Sequence, residues 1–456
     1  MDLVAAGTTL LVRSAPLVRA LAGRRAGILL PAGEAFLTAL AASEGRGAVL
    51  INPLAAPLEI AYQLADADVG AVFTITALAE QLPDGVVHVL LDDAPRMARV
   101  SAGGSVREID LGSHIGLPLE GDPDAPGREE EAAIVYTSAM AGRPVGAILT
   151  HRALLHNARA TVAATEMDST DRVLAVLPYA HLFGFTSTLI APLLAGATVL
   201  PVARFRAAQT AQRLAAGDAT ILVGVPTVYL ALLSALDRLE VPALPEPLRL
   251  CICGGAPLDA ALQERWEERT GIPLRQGYGL TEAGPVALFD GPPSPVRAGV
   301  LGVPPPGVRV SIRNPETSAP LERGAVGEIC IAGESLFSGY IGGVATGLAV
   351  RDGWLHSGDL GSMDRDGAVT FGGVRKAMFT RNGFNIYPRE IEQAVVELPG
   401  VESASVEAVP NQAHGNDIHL IVLGVATEPE IAAWCTRRLS AYKQPTTIAV
   451  RPGRSA

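Results

Sequence analysis

The chain predicts an α/β protein: a large N-terminal part of layered α/β subdomains, a β-rich subdomain after it, and a small α+β unit at the C-terminus. Three observations carry this expectation. Short apolar runs alternate with amphipathic stretches over roughly the first 250 residues, the pattern of parallel strands joined by crossover helices. From Gly302 onward the texture changes to short alternating segments with Asp-Gly pairs, which signal hairpin turns. At 456 residues the chain is too long for one ordinary core.

In order, Arg25–Leu30 and Gly47–Ile51 read as buried strands around a helical Glu34–Ser43. Val69–Thr74, Val86–Leu91, Ile221–Gly224 and Leu248–Cys253 continue the strand pattern. Pro- and Gly-rich connectors fall at Gly121–Gly127, Gly291–Pro295 and Val303–Gly307. Beyond them, Val308–Ile312, Gly327–Ile331 and Ala368–Phe371 read as strands, with turns at Asp352–Gly353 and Asp366–Gly367. The last unit carries a helix at Pro388–Glu397, strands at Ser403–Val409 and Ile418–Val425, and a helix at Glu428–Leu439. There are no internal repeats.

A formal charge of −11 argues against nucleic acid or an anionic membrane as partner. No run reaches the ~20 apolar residues of a membrane span; the best, Leu189–Leu200, is broken by Pro192 and Gly196. With no signal-like block in Met1–Ala22, the expectation is a cytoplasmic protein. Cys251, Cys253, Cys330 and Cys435 show no metal-site spacing and read as buried free thiols. Lysine occurs only at Lys376 and Lys443, so a phosphate site has to rely on arginine or backbone N–H groups.

Several segments carry chemistry. Ile134–Gly146, followed by Leu149–Thr150–His151, is a β-branched run ending in small residues, with Thr150 placed to cap a helix over His151–Ala160. Taken alone it is an ordinary strand–turn–helix or a backbone cradle for phosphate. Leu177–Gly184 sets Tyr179 and His181 among apolar neighbours, as core residues or pocket wall. Gly254–Gly255–Ala256–Pro257 follows a strand, where glycines let a flat ring approach the backbone. Gln276–Gly277–Tyr278–Gly279–Leu280–Thr281–Glu282–Ala283–Gly284–Pro285 is a Gly-rich turn with one carboxylate. Gly353–Leu360 contains Gly358–Asp359, and Gly373–Lys376 leads through Gly383–Glu392 into a helix. Ala441–Tyr442–Lys443–Gln444–Pro445 closes the series.

In this order, these segments resemble the motifs of the adenylate-forming superfamily, and most closely the 4-coumarate–CoA ligase-like acyl-CoA synthetases. The resemblance implies that residues 1–375 bind acid and nucleotide and that residues 376–456 form a shortened, mobile lobe. It implies ATP/AMP, Mg²⁺ and CoA as cofactors and co-substrates. By it, Thr137, Ser138 and Gly142 belong to a phosphate loop, Gly254, Gly255, Ala256 and Tyr278 face adenine, and Asp359 binds ribose. Thr281 contacts the α-phosphate, Glu282 holds Mg²⁺, Lys376 is the hinge, and Arg375 stands beside the nucleotide. Tyr179, His181, Val225 and Gly277 line the acid pocket.

The implied activity is ATP-dependent activation of a small carboxylic acid through an acyl-adenylate, followed by thioester formation with CoA or another thiol. Three cationic parts of the family pattern are altered. The loop lysine is Val145, the hinge-side arginine is Val374, and the sequence stops near the expected terminal lysine, with Arg454 as a stand-in. Two alternatives therefore accompany the main expectation: a relative that performs only acyl transfer, and a non-catalytic acyl- or nucleotide-binding protein. The acid and the oligomeric state are not legible.

Overall fold

The computed structural model describes residues 25–43, 47–92, 97–102, 105–110, 131–137, 144–292, 296–343, 346–374, 379–411 and 413–451. Five sheets organise them. The first has nine strands, with a parallel centre made by Glu131–Thr137, Ala48–Leu50, Arg25–Ile28, Val69–Thr74 and His88–Leu90. Ala26, Ile28, Val49 and Val72 are almost wholly buried there, as expected of parallel strands covered on both faces. Antiparallel strands flank this centre: Val145–Thr150 and Gly339–Tyr340 on one side, Met97–Ala102 and Ser105–Asp110 on the other. The edge strands alternate polar and apolar residues too weakly for sequence reading to have found them.

The second sheet has six strands, in the order Thr198–Pro201, Arg172–Ala175, Ile221–Gly224, Leu250–Cys253, Leu274–Gly279 and Val286–Phe289. All but the last run parallel. Helices Pro226–Arg238 and Ala260–Thr270 pack on it through Tyr229 and Trp266, whose rings meet edge to face at 4.8 Å. The Tyr229 hydroxyl lies between two strands, within hydrogen-bond reach of the carbonyls of Leu222 (3.1 Å) and Ile252 (2.8 Å). These helices fill one face of the sheet, over Leu222, Cys251 and Cys253, while Met167 and Phe289 pack with Val173, Val223 and Ile252 on the other, and the strand ends are left as the accessible rim. The Leu189–Leu200 run resolves into the end of a π-helical turn (Thr186–Ile190), a short helix (Ala191–Ala195) and the strand Thr198–Pro201. Among the described residues no helix is long and apolar enough to cross a membrane.

The β-rich part is an antiparallel sheet of Val300–Gly302, Val369–Val374, Trp354–Met363, Val326–Gly333 and Val308–Arg313. At Asp352–Gly353 both residues have positive φ (50° and 76°), and Arg351 pairs with Trp354, the tight hairpin that an Asp-Gly pair favours. The C-terminal unit has its own core of Ile391, Val395, Ile418, Leu420, Ile431 and Cys435. Its strands Val401–Asn411 and Gly415–Gly424 form a hairpin, and Thr447–Arg451 adds in parallel. The expected boundary at 375/376 lies outside the described residues, as does the Gly121–Gly127 connector.

Trp266 is fully buried against Tyr229. Trp266→Ala is expected to destabilise the fold by about 3–5 kcal/mol in urea unfolding, since the cavity cannot collapse around a tyrosine fixed at both ends.

Candidate functional site

Strands Ile221–Gly224, Leu250–Cys253 and Leu274–Gly279 end at one cavity of about 270 Å³. It reaches from the second sheet to the first and to the β-rich sheet, and the C-terminal unit closes it with Thr380, Phe384, Tyr387, Tyr442 and Lys443.

One wall is built on Glu282, in the one-turn helix Thr281–Ala283. Thr137, at the end of its strand, donates its hydroxyl to Glu282 Oε1 at 3.1 Å, and Tyr340 donates to the same oxygen at 2.6 Å. Oε2 has no protein partner among the described residues, so one hard oxygen remains open to the cavity, which suits a cation that keeps most of its waters. Burial, and then the charge of Glu282, hold the Tyr340 phenol protonated, well above its usual range.

A second wall is the turn Ser357–Asp359. The Tyr278 hydroxyl donates to Asp359 Oδ2 at 2.7 Å. The backbone of the turn is held from behind: Asp359 N–H donates to Ser357 Oγ (3.0 Å) and Gly358 N–H to Glu328 Oε1 (2.9 Å). Glu328 Oε2 lies 2.9 Å from His356 Nδ1, with Cys330 Sγ 3.5 Å from that nitrogen. This buried trio offers metal-type ligands. Its polar atoms are already directed at one another and at the turn, which reads as scaffold. Burial, then Glu328, push the Cys330 thiol up to about 12. All four cysteines are free and buried, and the thiols of Cys251, Cys253 and Cys435 are also pushed up by burial.

The inner end of the cavity is largely apolar, lined by Met167, Phe183, Val223, Ile252 and Phe289 with His181 and Gly277. His181 Nδ1 accepts the Phe183 N–H at 3.3 Å, which leaves the ring proton on Nε2. The exposed surface of His181 is cavity surface; enclosure by protein lowers its pKa below the usual 6.5, so the imidazole is neutral at pH 7.

Of the residues singled out from sequence, Thr137, Thr281, Glu282, Tyr278, Asp359, Gly255, Ala256, Gly277 and His181 share this cavity. Three do not. Tyr179 is 1% exposed and packs edge to face on Phe36 at 5.1 Å, in the core behind the wall. Val225 lies between Gly255 and Gly383 rather than in the cavity. Gly254 sits behind the lining, where a Cβ would come within 3.0 Å of the Gly277 carbonyl and the Phe183 ring. Ser138, Gly142, Arg375 and Lys376 lie outside the described residues. Sequence reading missed Tyr340, Tyr387 and Glu59; only Tyr387 stood inside a quoted motif, and nothing local marks the other two.

Of the three altered cationic parts, two are among the described residues and the third, at Arg454, lies outside them. Val145 pairs with Thr137, and Val374 pairs with Asp359 and lines the cavity.

Comparison with known proteins decides the family. The family model for AMP-binding enzymes matches residues 19–341. The chain belongs to the AMP-binding enzyme family, and with it to the adenylate-forming acyl-CoA synthetases. Within that family, it is 33% identical to a feruloyl-CoA synthase of Amycolatopsis sp. over 93% of this chain and 84% of that protein. Among AMP-binding relatives of known structure, a double mutant of o-succinylbenzoate CoA synthetase (MenE) from Bacillus subtilis, bound to a product analogue, superimposes with a TM-score of 0.82 at 25% identity, covering 99% of this chain and 90% of that one. ATP-bound MatB from Rhodopseudomonas palustris gives 0.68 at 26% identity, covering 97% and 88%.

The turn between the strands Leu274–Gly279 and Val286–Phe289 is sterically closed at Gly279, where a Cβ would lie 1.7 Å from the Pro285 carbonyl oxygen. Gly279→Ala is expected to cost at least about 2 kcal/mol and to displace Tyr278 and Glu282; thermal unfolding together with AMP titration measures both effects.

Proposed function

We propose that the cavity carries both halves of an acid–thiol ligase reaction, with the nucleotide held between Glu282 and Asp359 and the acid in the apolar end. The observation that carries this reading is that the Thr137–Glu282–Tyr340 cluster and the Tyr278–Asp359 pair open on one cavity whose far end is apolar. Residues 1–375 supply the walls for acid and nucleotide, and residues 376–456 supply the lobe that closes them.

In the first half, a carboxylate oxygen of the acid attacks the α-phosphorus of ATP. The bond to the bridging oxygen breaks, and pyrophosphate leaves with the electron pair; no proton is needed. Glu282 would hold Mg²⁺, which offsets phosphate charge when bound. Its Oε1 is fixed by two hydroxyls, so the open oxygen is already oriented. Asp359 accepts from ribose hydroxyls, with Tyr278 locking its carboxylate plane. Neutral His181 presents Nε2–H as a donor rather than a base.

In the second half, the CoA sulfur attacks the acyl carbon. The C–S bond forms, the C–O bond to AMP breaks, and the thiol proton passes to water. The apolar end favours an aromatic or aliphatic acid over an amino acid.

The cationic supply in this cavity is thin. Among the described lining residues the one lysine is Lys443, already bound to two carboxylates. Valine stands beside both Thr137 and Asp359. Nucleotide binding therefore leans on the cation at Glu282 and on hydrogen bonds more than on basic side chains.

Pyrophosphate release with ATP and Mg²⁺ across a panel of aryl and aliphatic acids tests this reading. Acid-dependent release is expected, falling about 10²–10³-fold in Glu282→Ala. No release from any acid by the folded protein overturns it. Separately, Asp359→Ala is expected to weaken AMP binding about 10–100-fold by calorimetry, the loss of hydrogen bonds to a charged acceptor.

A further inference from the structure

On the side facing the C-terminal unit, the cavity is closed by a buried ion cluster that the chemistry above does not use. Glu59 lies in the first turn of the helix Pro57–Asp66, in the N-terminal part. Glu390 lies in the helix Pro388–Val396, and Ser440 and Lys443 precede the last strand, all in the C-terminal unit. Lys443 Nζ donates to Glu59 Oε1 at 2.8 Å and to Glu390 Oε1 at 2.5 Å. The Ser440 hydroxyl donates to Glu59 Oε2, which also accepts the Ala56 N–H at 3.0 Å. Ser440 is 1% exposed, Lys443 4%, Glu390 6% and Glu59 9%.

This cluster is divided unevenly between the two parts. Lys443 and Glu390 sit on the same unit, so their bond survives any movement of that unit as a body. Glu59 alone comes from the other side. One ammonium shared by two carboxylates leaves a net charge of −1 in a buried place, tolerable only while other donors complete the shell of Glu59. Two do so, the Ser440 hydroxyl and the Ala56 N–H, and the positive end of the helix adds to them. If the units part, Glu59 becomes an ordinary hydrated carboxylate in a helical first turn, and Lys443 keeps Glu390. The contact can therefore be made and broken as a whole, without stranding a buried charge on either side. Relatives bound to a product analogue and to methylmalonyl-CoA with AMP superimpose with TM-scores of 0.82 and 0.80, and ATP-bound and apo MatB both with 0.68.

We propose that Glu59 is a positioning residue for the thioester half-reaction, holding the C-terminal unit in the arrangement from which the CoA sulfur reaches the acyl carbon. The inference rests on the two-step reading above. Its test separates the halves in the full-length protein: acid-dependent pyrophosphate release without CoA, and thioester formation from supplied acyl-adenylate and CoA. Glu59→Gln keeps the shape and removes the charge. It is expected to leave pyrophosphate release within about twofold and to lower the thioester rate about tenfold or more, as for truncation of one partner of a buried charge pair. Hydrogen–deuterium exchange should rise in both 57–66 and 440–451, with the rest of the fold unchanged. An equal loss in both halves, or an unaltered thioester rate, overturns the proposal while the two-step reading stands. A wild-type protein silent in both halves overturns the two-step reading and this inference together.

Discussion

The hydrogen bond from Tyr278 to Asp359 is the constraint on which the site depends. Tyr278 stands on the last parallel strand of the second sheet, and Asp359 on the central hairpin of the antiparallel sheet. The two sheets also meet through the buried cluster of Leu288, Leu301, Ile312, Ile329 and Val369, and the hydrogen bond ties together the two residues by which they face the cavity. Each partner is itself held from behind. Tyr278 pairs with Leu288 across the strand, and the Asp359 turn hangs from Glu328. The buried trio of Glu328, Cys330 and His356 thereby has a role without touching a ligand: it fixes the backbone from which Asp359 projects.

A carboxylate-rich cavity is a poor place for a polyanion unless its charges are arranged. Glu282 and Asp359 sit on separate walls, each receiving neutral hydroxyl donors, from Thr137 and Tyr340 in one case and Tyr278 in the other. These donors orient the carboxylates without cancelling their charge, as the cation proposed at Glu282 requires. Basic side chains in the same positions would compete with that cation. Valine at 145 and 374 is compatible with a site whose positive charge arrives with the nucleotide.

Legibility followed locality. The parallel strands and the helix capped by Thr150, where Ala153 N–H donates to the Thr150 hydroxyl at 3.1 Å, were visible because a period and a cap are written in neighbouring residues. Glu282 and Asp359 were visible because each lies in a long motif. Tyr340 was not: its strand is two residues long and gains meaning only by pairing with Ala147. Glu59 looks like any helix-initiating glutamate, and what distinguishes it arrives from residues more than 300 positions away. Tyr179 misled for the complementary reason. Its neighbours in the chain face the cavity, but the turn at Pro178–His181 aims its ring at Phe36.

A reaction that passes through a hydrolysable acyl-adenylate needs a wall that excludes water and still admits a second substrate. The C-terminal unit meets this with bulk rather than charge. Phe384 stacks on Tyr442 at 4.0 Å, and Tyr387 faces Glu282, Asp359 and Glu390, with burial first and those charges next keeping its phenol protonated. Among the described lining residues its one cation, Lys443, is bound to Glu390 of the same unit and to Glu59 of the N-terminal part. A unit that carried free positive charge to this wall would be held there by the nucleotide itself. On the arrangement proposed above, the C-terminal unit carries Lys443 already paired with Glu390, and Glu59 of the N-terminal part completes the contact whichever ligand fills the cavity.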